Sequence, residues 1–258
     1  MNRLITFGCS FTDYSWPTWA DIIALDQDCE YENWALGGGG NQQIARRALY
    51  RRSRGMHHND TVIIQWTSIT REDRWLNNQW VAEGSVSNSP TYSKDFVNKY
   101  WSWDNDVINT AQARITTEIL MSPWLKYQMA MTWNDGDHLR ADSPAITNYW
   151  QSQLSPQDEL PAGVTAFKTG DGHPSPAWWL NWVETRIYPR LNLTLKPSTR
   201  QHVAGIQQYL EKLADQGLNH KRLQQAAREY CVNNNWRLNK VKPGSDTLTP
   251  GQGSDILI

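Results

Sequence analysis

Two groups of residues, far apart in the chain, have side chains that could carry out acyl chemistry together. Ser10 lies just after the apolar run at residues 4–8. At a junction between a strand and a helix, a serine Oγ projects above the sheet edge, and the serine N–H can stabilise an oxyanion. His173 lies in the Gly- and Pro-bounded segment 169–176, two residues after Asp171. An imidazole held in such a loop can act as general base to a serine, and a nearby carboxylate can orient the ring.

Other interpretations of these residues are less favoured. Cys9 is an alternative nucleophile, but adjacent residues on an extended segment point to opposite sides, so we expect its thiol to pack inward. Ser10 could instead serve only as a helix N-cap. The histidines at 57–58 and the segment 135–138 lack partners at metal-ligand spacing, so we expect solvated loops there. The glycines at 37–40 lack the Lys-Ser/Thr pair of a phosphate-binding loop. The sequence therefore predicts neither a metal nor an organic cofactor.

The elements that must position these residues alternate between strands and helices. Unbroken or alternating apolar runs predict strands, and apolar residues at helical spacing predict helices. We expect strands at 4–8, 31–36, 61–66 and 127–133, with a weak fifth at 164–167, and helices at 13–25, 42–54, 97–125 and 177–190 and over one or two segments of 200–235. This order indicates a three-layer α/β/α sandwich with a mostly parallel sheet of about five strands, plus a C-terminal helical extension. Ligand sites in such sheets lie beyond the carboxyl ends of the strands.

These residues, taken in order along the chain, resemble the SGNH hydrolases, also called GDSL-type esterases. The resemblance covers roughly residues 3–190. It implies that Ser10 is the nucleophile, and that His173, in the segment Asp171-Gly172-His173-Pro174, is the base. It also implies that a glycine after Asn33 lines the oxyanion hole. Gly38 fits that role best, and Gly37 or Gly39 could also take it.

The chain departs from the pattern of this family at two places. Thr67 and Ser68 stand where the family has an asparagine that donates to the oxyanion, so their hydroxyls are the candidates for that role. Asp171 lies one residue closer to His173 than the family's aspartate, whose position is occupied by Gly170. A backbone carbonyl could orient the imidazole in its place. The predicted site therefore comprises catalytic Ser10, His173 and Asp171, with an oxyanion hole formed by Ser10, Gly38, Thr67 and Ser68.

Tryptophan is the unusual component of the composition, with 15 residues against four phenylalanines. Trp178, Trp179 and Trp182 follow His173 at near-helical spacing, and some of them are expected in the core. The tryptophans near the polar insertions are harder to bury, so they could form a platform for a carbohydrate or simply pack the insertion. The candidate substrate-binding residues are Trp75, Trp80 and Asn41.

The length and the charge of the chain limit its possible domain organisation. The 258 residues carry 25 Lys and Arg against 26 Asp and Glu, which argues against full disorder and against a dedicated nucleic-acid binder. We expect an α/β domain over 1–195 with a long irregular insertion near 70–96 and a loop-rich one near 134–161, and a flexible tail over 243–258. The segment 196–242 holds nine basic residues against three acidic ones. It is predicted to be a basic helical extension, either a solvated face or a docking surface for a protein partner or a second copy.

Three further features bear on the surroundings of the protein and on its function. No apolar run is long enough to cross a membrane, the N-terminus is too polar for a signal peptide, and the three cysteines are too widely spaced for a disulfide framework. We therefore expect a cytoplasmic or virion-associated protein. The favoured function is hydrolysis of a small acyl ester, with an O-acetylated carbohydrate as the preferred substrate class. The alternative is a non-catalytic module that binds a carbohydrate or a partner on the same scaffold.

Overall fold

The computed structural model describes residues 1–76, 79–86, 92–131, 158–160, 172–234 and 236. Within this part of the chain, five parallel strands form one sheet in the order β2-β1-β3-β6-β7. The strands are β1 (Arg3–Phe7), β2 (Glu30–Asn33), β3 (Asp60–Trp66), β6 (Leu125–Met131) and β7 (Asp158–Leu160). The first four agree with the predicted strands. β1 therefore lies inside the sheet, between β2 and β3, and its carboxyl end leads directly to Ser10.

The two faces of the sheet are covered by different helices. Along β1, Leu4 belongs to one buried cluster while Ile5 and Phe7 belong to the other, as the alternation of side chains along a strand requires. The helices are α1 (Trp19–Gln27), α2 (Asn41–Ser53), α3 (Lys94–Tyr100), α4 (Trp103–Met121), α5 (Pro176–Trp182), α6 (Tyr188–Leu191), α7 (Pro197–Asp215) and α8 (His220–Asn233). A π-helical turn over Val183–Ile187 joins α5 to α6. The predicted three-layer α/β/α fold is confirmed.

The core on the first face contains the tryptophans that follow His173. Trp179 and Trp182 are buried there together with Trp16 and Trp19, and α1, α5, α7 and α8 contribute to the same cluster. On the second face, α2 and α4 pack against the sheet through small and apolar side chains such as Ile44, Ala48 and Ala113. The one or two amphipathic helices expected over 200–235 are present as α7 and α8, and they share a core with the sheet.

The insertion at 70–96 is not the irregular loop that its polarity predicts. It contains the antiparallel hairpin β4 (Arg71–Leu76) and β5 (Gln79–Ser85), followed by α3. The sequence of this hairpin has no clear alternation of apolar and polar residues. The strands are held by hydrogen bonds between backbone groups, which depend little on side-chain polarity. The predicted helix over 97–125 likewise divides into α3 and α4, because Ser102 caps a new helix through a bond from the Asn105 N–H.

Two further element boundaries differ from expectation. α1 begins at Trp19, because Pro17 lacks an N–H and Thr18 starts the helix by donating its own N–H to Asp21 at 2.9 Å. β7 lies in a segment that the sequence predicts as loop, and it is held by backbone pairing with β6. The weak strand predicted at 164–167 and the tail at 243–258 lie outside the described residues, as does nearly all of the insertion at 134–161. In the described part of the chain, no helix combines the length and the hydropathy that spanning a bilayer requires.

Candidate active site

Ser10 begins a tight turn at the carboxyl end of β1. The Cys9 carbonyl accepts hydrogen bonds from Thr12 N at 2.9 Å and from Asp13 N at 3.1 Å, which folds the chain back immediately after the strand. The Thr12 hydroxyl donates to Oε1 of Gln65 on β3, and both side chains are buried. The Ser10 turn is therefore tied to the central strand of the sheet. Cys9 is fully buried, as expected for a residue that packs inward.

Gly8 is required for this turn because no side chain fits there. A Cβ at Gly8 would lie 2.1 Å from Thr12 Oγ1 and 3.3 Å from Gln65 Cβ. The Gly8 carbonyl accepts from Leu36 N at 3.0 Å, and this bond joins the turn to the chain after β2. Asn33 strengthens the same junction, since its Nδ2 donates to Thr12 O at 2.9 Å. The start of the glycine loop is thereby held beside Ser10.

The glycines at 37–40 have different hydrogen-bonding roles. Gly39 N donates to Leu36 O at 3.0 Å, and Gly40 N donates to Oδ1 of Asp73 at 2.8 Å. Gly38 has a φ of +79°, which favours glycine, and its N–H donates no hydrogen bond to any residue in the described ranges. Of the glycines considered for the oxyanion hole, Gly37 and Gly38 thus have N–H groups that donate no hydrogen bond within the described ranges, whereas the N–H of Gly39 closes a turn.

Asn41 holds the end of β3 against the glycine loop. Its Oδ1 accepts from Thr67 N at 2.9 Å, and its Nδ2 donates to Thr67 O at 3.0 Å and to Thr110 Oγ1 at 3.2 Å. Asn41 is the first residue of α2, after the Gly40 N-cap. Since its carboxamide is buried and bonded to the protein, Asn41 supports Thr67 in this structure. The predicted contact of Asn41 with substrate stays a prediction.

Thr67 and Ser68 are both buried beyond the carboxyl end of β3. The Ser68 hydroxyl lies 2.9 Å from Thr70 Oγ1, which in turn lies 3.1 Å from Ser85 Oγ on the hairpin. The Ser68 hydroxyl is therefore part of a chain of hydroxyls that leads to the hairpin.

The His173 ring packs against the turn that starts at Ser10. It stacks on Tyr14 with a centroid separation of 3.8 Å and an interplanar angle of 16°, and it lies 5.3 Å from the Phe11 ring. Trp16 Nε1 donates to the carbonyl of Pro174 at 2.9 Å, which fixes the loop that carries His173. The structure thus brings His173 to the same sheet edge as Ser10. No hydrogen bond joins the Ser10 and His173 side chains among the described residues.

Local sequence features position His173 just before α5. Gly172 has a φ of +79°, a conformation suited to glycine, and Ser175 caps α5 by accepting a hydrogen bond from Trp178 N at 3.2 Å. Pro176 occupies the first turn of α5, where its missing N–H carries no penalty. His173 therefore lies between a positive-φ glycine and a capped helix.

The hairpin brings the half-buried carboxylate of Asp73 to the glycine loop, and α4 carries a second, buried carboxylate, Asp106, which lines the same cavity. Asp73 accepts from Gly40 N and Gln43 N, both at 2.8 Å, so it caps α2 from another element. Burial raises the pKa of Asp73 to about 6, although these two hydrogen bonds oppose the shift. Burial also raises the pKa of Asp106 to about 7, with a further contribution from the nearby Glu72 charge and opposition from the Trp101 hydrogen bond. Neither Asp73 nor Asp106 could be predicted as a site residue, because nothing in their local sequence distinguishes them from solvated acids.

A cavity of about 120 Å³ lies between α2, α4 and the hairpin. Its lining includes Asn41, Arg71, Asp73, Asp106 and Thr110. The lining is thus largely polar and charged, and it adjoins the glycine loop through Asn41 and Asp73.

The remaining predicted residues lie outside the described set, or only their backbone is described. Asp171 and the segment 135–138 are outside the described residues. Trp75 and Trp80 are register partners across the β4–β5 hairpin. Gly84 N, on the same hairpin, donates to Gly38 O at 3.1 Å, so the strands that carry these tryptophans adjoin the glycine loop. Within the described ranges, no group of three or more His, Cys, Asp or Glu side chains is arranged to hold a metal ion.

Comparisons with known proteins give distant structural likenesses. No family model and no curated protein matches the sequence. A member of the lipolytic G-D-S-L family from Veillonella parvula is similar over 72% of this chain and 99% of its own, with 11% identity and a TM-score of 0.41. An acetylxylan esterase from Geobacillus stearothermophilus is similar over 74% of this chain and 94% of its own, with 12% identity and a TM-score of 0.40. TesA is similar over 74% and 98%, with 13% identity and a TM-score of 0.37.

Proposed function

We propose that this protein is a serine ester hydrolase with Ser10 as its nucleophile and His173 as its general base. The observation that carries the proposal is the position of the His173 ring, which packs on Tyr14 and Phe11 of the turn that Ser10 begins. Ser10 and His173 are more than 150 residues apart in the chain, and this packing brings their segments together. A nucleophile and its general base require such proximity.

The proposed reaction uses the groups at this sheet edge in the order that ester hydrolysis requires. Ser10 Oγ attacks the carbonyl carbon while His173 takes the hydroxyl proton. The N–H groups of Ser10 and Gly38 stabilise the oxyanion, assisted by the hydroxyl of Thr67 or Ser68. His173 then gives the proton to the leaving alcohol, and a water molecule hydrolyses the acyl-enzyme by the same route. In this proposal Asp171 orients the imidazole.

We propose a small acyl ester of a carbohydrate as the substrate. The support for this choice is the hairpin, which carries Trp75 and Trp80 on paired positions and contacts the glycine loop through Gly84. An indole offers the large apolar face on which a sugar ring can stack. An O-acetylated oligosaccharide is therefore the first substrate to test.

Covalent labelling tests the nucleophile directly. We expect a fluorophosphonate probe to modify the wild-type protein, and mass spectrometry of the digested protein to locate the adduct on Ser10. Ser10→Ala should lose both the labelling and the hydrolysis of an aryl acetate. Ser53→Ala is the matched control, because Ser53 is exposed on the last turn of α2 and its hydroxyl donates only to Tyr50 O.

Two outcomes of these experiments would contradict the proposed ester hydrolysis. An unlabelled Ser10 in a folded protein that hydrolyses neither aryl acetates nor O-acetylated oligosaccharides would exclude the proposed reaction. Glycan binding that persists in Ser10→Ala, without turnover by the wild type, would identify a non-catalytic binding module instead.

A further inference from the structure

Helix α8 contacts the aromatic side chain that stacks on His173. His220, the first residue of α8, places its Nε2 3.1 Å from the Tyr14 hydroxyl. Gln224 lies one turn later on the same face of the helix, and its Nε2 donates to the same hydroxyl at 2.9 Å. Two side chains of one helix thus hold the end of the Tyr14 side chain.

The face of the Tyr14 ring contacts the imidazole of His173. The Tyr14 and His173 rings are nearly parallel, 16° apart, at a separation of 3.8 Å. Trp16 packs edge-on against Tyr14 at 4.6 Å and donates its indole N–H to the Pro174 carbonyl. The plane of the imidazole is therefore set by Tyr14, and Tyr14 is held by α8.

The hydrogen-bonding capacity of the Tyr14 hydroxyl matches both contacts. A phenol has one proton to donate and lone pairs to accept with. It accepts from Gln224, and it can donate to the Nε2 of a neutral His220 whose proton is on Nδ1. The Tyr14 hydroxyl can therefore make both hydrogen bonds at the same time, and together they favour one position for it.

We propose that α8 orients the general base: His220 and Gln224 fix Tyr14, and Tyr14 fixes the ring plane of His173 for proton transfer from Ser10. The inference rests on the proposed function. In this arrangement His220, Gln224 and Tyr14 are positioning residues, since they act on Ser10 only through His173. Proton transfer depends on the direction of the imidazole nitrogen, so a free ring spends less time in the productive orientation.

Variants of α8 and of Tyr14 separate this role from general stability. Tyr14→Phe removes both contacts of α8 with the phenol hydroxyl, and His220→Leu removes one of the two. We expect each variant to lower kcat, by up to about tenfold in Tyr14→Phe, with KM nearly unchanged. His220→Gln keeps an amide able to bond the hydroxyl, so it should restore most of the rate. Gln225→Leu is the control on the same helix, because Gln225 is exposed and its amide donates to Glu229.

A spectroscopic measurement makes the test independent of activity. A stacked phenol shifts the imidazole Cε1–H resonance of His173 by its ring current, so this resonance in the ¹H–¹³C NMR spectrum reports the stack. We expect the shift to fall in His220→Leu and Tyr14→Phe and to persist in His220→Gln and Gln225→Leu. These spectra report the orientation of His173 even when the wild type hydrolyses nothing, in which case only the proposed function fails.

The opposite pattern overturns the inference. If the wild type is active, and His220→Leu and Tyr14→Phe keep both the wild-type kcat and the His173 resonance, α8 does not position the base. The same holds if Gln225→Leu lowers kcat as much as His220→Leu does, because the effect would then be a general consequence of altering the helix.

Discussion

Ser10 depends on neighbours that take no part in the proposed chemistry. Thr12 and Gln65 hold the turn after β1 against β3, and Asn33 joins it to the end of β2. These side chains are buried and hydrogen-bonded, so the position of Ser10 is set by contacts from three strands. Among the residues around Ser10, Gly8 has the least space for a side chain, because the Thr12 side chain occupies the position that a Cβ would need.

Replacing Gly8 with alanine should distort this turn. The added Cβ would lie 2.1 Å from Thr12 Oγ1, so the turn must move, and we expect the free energy of unfolding to fall by about 1–3 kcal/mol. Labelling of Ser10 by the fluorophosphonate should slow in parallel. Gly37→Ala is the control, because a Cβ at Gly37 meets nothing within 4 Å. Equal urea midpoints for the two variants would contradict the assigned role of Gly8.

The β4–β5 hairpin fixes the glycine loop from two sides. Asp73 caps α2 through Gly40 N and Gln43 N, and Gly84 N donates to Gly38 O. A carboxylate at a helix N-terminus is favoured by the helix dipole and by the unpaired N–H groups of the first turn. Here the carboxylate comes from another element, so the position of the candidate oxyanion loop depends on the docking of the hairpin.

Asp73 should leave a measurable signature in the dependence of stability on pH. Its pKa rises from 3.8 in the unfolded chain to about 6 in the folded protein, so between these values the folded state binds more protons. The contribution of Asp73 to the free energy of unfolding therefore falls as pH rises through this window, with a slope of at most about 1.4 kcal/mol per pH unit. The difference between wild type and Asp73→Asn, from urea titrations at pH 4 to 7, should show this decline.

Asp95→Asn is the matched control for that measurement. Asp95 is an exposed aspartate in the first turn of α3, so this variant measures the effect of replacing an aspartate by asparagine at an exposed position. A flat difference curve between wild type and Asp73→Asn would show that Asp73 titrates as an ordinary surface carboxyl.

At the scale of the whole molecule, the C-terminal helices belong to the same core as the sheet. Leu210 on α7 and Leu223 on α8 are fully buried in the cluster that contains Leu4 and Ile63 of the sheet. Asp26 at the end of α1 is also buried, and it accepts hydrogen bonds from Lys196 N and Thr199 Oγ1, both at 2.8 Å. The basic segment thus has a packed inner face in addition to its charged outer one.

Unfolding experiments can test whether this shared core makes one cooperative unit. We expect Leu210→Ala to lower the free energy of unfolding by about 2–5 kcal/mol, and the β1 and β3 amides to lose hydrogen-exchange protection along with those of α7. Val232→Ala is the control, since Val232 is 71% exposed on α8. Protection of β1 that survives Leu210→Ala unchanged would instead indicate that the C-terminal helices unfold separately.

Much of the fold could be predicted because strands and helices leave periodic patterns of apolar residues. The runs that became β1 and β3 and the helical spacing of α7 and α8 are visible in the sequence alone. The hairpin could not be predicted in this way, since its strands are rich in charged residues and are held by backbone pairing. The start of α1 differs from the predicted one because the apolar spacing extends upstream of Pro17, whereas the helix begins only after it, at Trp19.

The sequence by itself determined which chemical groups are available and the order of the elements that carry them: a serine after β1, glycines after β2 and a histidine before α5. These are local properties, since each depends on neighbouring residues in the chain. Only the tertiary structure decided that Tyr14 stacks on His173, that His220 bonds to Tyr14 and that Asp73 caps α2. Such polar and aromatic contacts join distant segments through the geometry of individual side chains, and no periodic pattern in the sequence encodes them.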